Sequence, residues 1–136
     1  MTVLFSSLFL VEKTSDRLQD QLVKNRKTAF SHSSMVTVDT ETVFHGQKAY
    51  ASFIGKDQAG KKLAVLVDQA DNTVYAYSLE DGISQKKATA IVKEESQHAI
   101  DRVTFGRFKS KPIWEVKAGS SYYVVDFKTG KVIGVF

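Results

Sequence analysis

The sequence predicts an α+β fold made of two tandem units, each with one helix packed on an antiparallel sheet of about four strands. Three observations lead there. A strand–turn–strand pattern occurs twice, residues 63–68 and 73–77 being echoed by 121–126 and 131–135. An aromatic strand candidate precedes each pair, at 48–53 and 112–117, and a helical segment lies upstream of each. The strand segments alternate apolar and polar residues and are joined by short polar turns, which is the pattern of an antiparallel meander. A helix laid on one face of each sheet makes the class α+β.

Taken in order, residues 2–11 form the most apolar stretch of the chain. They cover about half of the roughly 20 residues that a membrane helix needs. They also lack a basic start and a small-residue cleavage site. Residues 1–12 therefore read either as the remnant of an N-terminal membrane anchor or as an apolar extension of the first helix. From 13 to 30 the spacing predicts that helix, capped by Thr14 or Ser15. Its apolar stripe is Leu18, Leu22, Val23, Ala29 and Phe30, and Asp16, Gln19, Asp20, Lys24 and Arg26 face water. In the first strand Val36, Val38 and Phe44 fall on one side, with Thr37, Asp39 and Glu41 on the other. A turn at His45-Gly46, a strand over 49–54, a polar loop over 55–60 and the first repeated strand pair follow, the pair joined through Asp71-Asn72.

Glu80-Asp81-Gly82 marks the junction between the units. Ser84 caps a second helix whose buried stripe is Ala88, Ile91, Val92 and Ala99. Strands are expected at 102–108, 113–117, 122–127 and 132–136. Pro112, the only proline, opens one of them, where a missing N–H costs least.

The chain has 136 residues, 43% of them hydrophobic, with nine Phe, five Tyr and one Trp, enough for a substantial core. Units at 13–79 and 80–136 are each near the lower size limit for independent stability, so they are expected to pack together. Cysteine is absent, which excludes disulfides and thiol-based metal or redox sites. Net charge is +4; residues 1–79 carry nine basic and eight acidic groups, residues 80–136 ten and seven. An anionic partner would thus favour the second half.

The run Lys111-Pro112-Ile113-Trp114-Glu115-Val116, followed by residues 122–133, resembles the signature of the PepSY domain. Residues 82–88 resemble the start of that family's helix. The first unit matches more loosely and is similar to the degenerate partner domain of YpmB-like proteins of Gram-positive bacteria, the TseB-like cell-wall elongation regulators. The resemblance implies two cystatin-like units outside the cell, held by an N-terminal membrane helix. It implies action by binding, with a penicillin-binding protein as partner. PepSY units elsewhere are proposed to restrain peptidases, which supplies an alternative: a peptidase inhibitor or chaperone-like restraint.

Catalytic chemistry finds no footing in the sequence. Nucleophilic catalysis needs Ser or Cys beside an oriented base, and His32, His45 and His98 lie at helix ends and a turn, away from any nucleophile signature. No ligand spacing suits zinc, and the eight glycines are scattered one per turn. Asp39 and Glu41 read as a solvated strand face, Asp68 and Asp126 as turn acceptors, and Trp114 as core. No enzyme activity, cofactor, small-molecule substrate or nucleic-acid partner is expected.

Two features point to binding. Arg107, Lys109 and Lys111 alternate along a strand end and hairpin. They read either as a solvated edge guarded by lysines or as a surface for an anionic membrane, a wall polymer or an acidic protein patch. Tyr75 and Tyr77 share a strand face near Tyr50, forming either an exposed aromatic patch or a seam buried between the repeats. The expected protein is an extracytoplasmic binding module that contacts a cell-envelope protein.

Overall fold

The computed structural model describes residues 16–136. The apolar opening at 1–12 and the expected caps Thr14 and Ser15 lie outside the described residues, as do the side chains of Asp16, Leu18, Gln19, Asp20 and Leu22. Helix α1 (Asp16–Ser31) leads into strands β1 (Met35–His45), β2 (Ala49–Asp57), β3 (Lys62–Asp68) and β4 (Val74–Ser78). A 3-10 turn at Leu79–Asp81 connects to α2 (Gln85–Glu95), followed by β5 (Ile100–Phe108), β6 (Lys111–Ala118), β7 (Ser121–Asp126) and β8 (Val132–Val135). Each sheet is a four-stranded antiparallel meander in sequence order. The expected pair of tandem α+β units is what the structure contains.

The duplication extends to single hydrogen bonds. Asp68 Oδ1 accepts from Ala70 N at 2.8 Å, and Asp126 Oδ1 accepts from Lys128 N at 3.0 Å. Asn72 N donates to Asp68 O and Gly130 N to Asp126 O, both at 2.8 Å. These two residues supply the left-handed backbone the turn requires, with φ of 61° and 78°. The slots diverge at one position. Phe127 is buried in the second unit's core, whereas its counterpart Gln69 meets Asn25 of α1, with Nε2 donating to Oδ1 at 3.1 Å.

In the first unit, Ala29 of α1 packs with Met35, Ala51, Phe53, Val65 and Val67. Val23, expected in that stripe, is exposed. Arg26, expected in water, turns to the sheet instead. Its Nη2 donates to Glu41 Oε1 at 2.6 Å, leaving Arg26 Nε and Glu41 Oε2 buried without partners. The reason lies in β1, where two register shifts bulge out Val36 and Asp39. A bulge inserts a residue and reverses the faces beyond it. Glu41 therefore pairs with Phe53 on the helix-covered face, while Phe44 pairs with Tyr50 on the opposite one. Val36 is exposed, so Val36, Val38 and Phe44 do not share a side.

In the second unit Ser84 caps α2, its Oγ accepting from Lys87 N at 3.0 Å. Ala88 and Val92 are buried against Trp114 and Val116. Ala99 is exposed, because the helix stops at Glu95 before the stripe reaches it. Trp114 is core, and its Nε1 donates to Ile83 O at 3.0 Å. The units share one hydrophobic cluster in which Phe44, Tyr50, Ala64 and Leu66 join Phe105, Ile113 and Trp114. The first sheet's free face thus covers the β5 margin of the second. Ser52 Oγ, buried in that seam, donates to Phe105 O at 2.8 Å, satisfying an edge carbonyl that would otherwise be orphaned.

Candidate interaction surface

The β5–β6 hairpin carries three of the six residues singled out by sequence. Its two-residue turn, Lys109-Ser110, has φ of 49° and 65°. Both central residues are left-handed, the geometry for which Asn-Gly is favoured. A lysine and a serine hold it here at a steric cost. Lys109, Ser110 and Lys111 are exposed, and the Lys109 ammonium lies over the Phe108 ring, 5.5 Å from its centroid.

Arg107 departs from that surface. Its guanidinium stacks on the Tyr75 ring, 3.8 Å from the centroid, and its Nε donates to Tyr77 Oη at 3.2 Å. Tyr75 and Tyr77 sit half-buried on β4, and Tyr50 is 3% exposed, its ring edge-on to Tyr75. Tyr77 also packs against Phe105. Of the two readings for the tyrosines, the seam between repeats is the one the structure contains. Arg107 ties the first unit's outer strand to the second unit's hairpin and leaves Lys109 and Lys111 as the accessible pair.

Two other charged groups have local partners. Lys48 Nζ lies 3.1 Å from Asp68 Oδ2, and this hydrogen bond raises the lysine above its ordinary range. Thr73 N donates to Asp71 Oδ1, which lowers the Asp71 carboxyl. His32, His45 and His98 are exposed and separate, and the described residues contain no cluster of His, Asp or Glu fit for a metal. No helix among them is long and apolar enough to cross a membrane.

Two clefts were not visible in the sequence. One, of about 470 Å³, lies where the β1–β2 turn meets the second sheet. Glu115 lines it half-buried, and burial pushes its carboxyl up, with Arg102 and His45 opposing the shift. The other, of about 950 Å³, runs between α2 and the β2–β3 turn and is rimmed by Lys61, Lys62, Lys86 and Lys93. Both draw residues from the two units, so no local pattern could announce them.

Residues 26–68 match the family model of the cell wall elongation regulator TseB-like domain. That span runs from the middle of α1 to the end of β3. Among solved structures, the chain is similar to the YpmB protein from Bacillus subtilis, with a TM-score of 0.75 and 26% identity over 83% of this chain and 94% of that one. The first unit is similar to the TseB-like domain, and the two units together are similar to YpmB. A candidate lipoprotein from Clostridium difficile 630 aligns at a TM-score of 0.46 with 13% identity, over 85% of this chain and 89% of that one, too low to carry an argument. No curated protein matches the sequence. The solved relative spans both units, whereas the family match falls on the first.

Proposed function

We propose that this YpmB/TseB-like protein is a non-enzymatic, extracytoplasmic regulator that acts by binding a cell-envelope protein, a penicillin-binding protein of cell-wall elongation being the favoured partner. The observation that carries this reading is the cell wall elongation regulator match on residues 26–68, set in a two-unit scaffold that reproduces YpmB over 94% of its length. The resemblance of the second unit to PepSY, the cystatin-like arrangement and an N-terminal anchor in a Gram-positive membrane belong to the same proposal. Lys109 and Lys111 are the contact residues, because both are accessible and one is held in backbone that costs stability.

The test is affinity capture from detergent-extracted cell membranes, with Lys109→Glu/Lys111→Glu as the comparison. Recovery of a penicillin-binding protein by the parent chain and its loss with the variant is the expected outcome. Recovery of no envelope protein would sink the reading. Equal recovery by both would move the contact away from the hairpin. Tight inhibition of a secreted metallopeptidase, with no capture, would favour the peptidase-restraint alternative.

A further inference from the structure

We propose that the groove between α2 and the β2–β3 turn is a second binding surface, built for an acidic peptide segment with apolar side chains. The inference does not rest on the hairpin or on the identity of its partner. One wall is a single helix face, since Lys86, Thr89, Ala90 and Lys93 follow i, i+3, i+4, i+7 spacing and all line the groove. Ala88 and Val92, on the other face, are buried in the core, so this stripe is free to meet a ligand. The opposite wall is the end of the β2–β3 hairpin, with Lys61 and Lys62 exposed. Ile54, Leu79 and Trp114 supply the apolar lining.

Charge makes the groove selective. Four lysines rim it against Glu80 as the one carboxylate of its lining. None of the four takes part in the ion pairs found among the described residues. Lys62 also lies directly across from Lys56 in the β2–β3 ladder. Like charges paired across strands are destabilising, so that end of the hairpin carries an electrostatic cost that an anionic partner would relieve. The distance along the helix from Lys86 to Lys93 is about 10 Å, between the spans of two and four residues of extended chain and within reach of the long lysine side chains. Carboxylates on an extended peptide can therefore address both lysines while neighbouring apolar side chains enter the lining. A bare polyanion would use the rim and leave the apolar residues unused, which is why a peptide is preferred.

The test is a titration of the whole chain with an octapeptide of alternating glutamate and leucine, followed by amide chemical shifts. Shifts centred on Gly60, Thr89 and Ala90 are expected, with affinity falling at least tenfold in Lys86→Glu/Lys93→Glu and falling with added salt. The alternating lysine–leucine peptide is expected not to bind. A glutamate–alanine peptide of equal length, and inorganic polyphosphate, separate the apolar contribution from charge alone. Should either bind as tightly as the glutamate–leucine peptide, the peptide assignment is overturned. It is equally overturned by absence of binding, or by unchanged affinity in the variant. If the helix variant does not give a dispersed spectrum, Lys61→Gln/Lys62→Gln carries the same expectation of weakened binding from the other wall.

Discussion

The Phe44 ring from the first unit lies against Gly106 on β5 of the second, filling the space that a side chain at 106 would occupy. This contact fixes how closely the two sheets approach. Gly106→Ala is expected to destabilise the protein by about 1–3 kcal/mol through overpacking. Phe44→Ala should cost roughly 3–5 kcal/mol through the cavity it leaves. In the double variant the alanine methyl enters that cavity, so the two costs will not add. Urea denaturation of the four proteins measures the coupling, and strict additivity would refute the contact.

Replacing Lys109-Ser110 by Asn-Gly is expected to stabilise the chain by roughly 1–2 kcal/mol, because those residues accept left-handed backbone without the steric penalty. If the hairpin is the contact surface, the same change weakens partner capture while raising the melting temperature. Opposite movement of stability and binding is the outcome that distinguishes a functional lysine from a neutral one.

Arg107→Ala should cost about 1–2 kcal/mol, combining the lost stack on Tyr75 with the lost hydrogen bond to Tyr77. Arg107→Lys keeps the charge but not the planar guanidinium, and should recover only part of that loss. Thermal unfolding of both variants checks the order; equal stability of the lysine variant and the parent would show that charge alone matters.

Glu115 gives a pH signature. Burial raises its carboxyl in the folded chain, so the folded state holds the proton more tightly than the unfolded one. Its contribution to stability is therefore present below the ordinary glutamate range and is lost as pH rises through the elevated folded value. Glu115→Gln should flatten this dependence and raise stability at pH 7, by less than about 1 kcal/mol because the site is half open to solvent. Urea midpoints between pH 4 and 8 provide the measurement. A variant less stable than the parent at pH 7 would contradict the assignment.

Features written in contiguous residues were legible before the structure. Asp68 and Asp126 announced matching turns because an Asx acceptor acts on a backbone two residues away. Ser84 announced its helix for the same local reason. The bulges at Val36 and Asp39 were not legible, since an inserted residue leaves the composition of a strand unchanged while exchanging its faces. That single effect moved Glu41 from water to α1 and separated Phe44 from Val38. The burial of Arg107 has no local signal, because its partners Tyr75 and Tyr77 lie some thirty residues earlier, in the other unit. The lysine-rimmed groove escaped for a similar reason: its two walls come from different halves of the chain.

The divergence between Gln69 and Phe127 has a consequence for assembly. At one equivalent slot the first layer offers an amide that Asn25 can satisfy, and the second offers a large ring to an oily bed. Exchanging the helical partners would leave the buried Asn25 without its glutamine and set it against a phenyl group. The same slot thus carries a polar address in one half and an apolar one in the other, so each sheet suits its own helix.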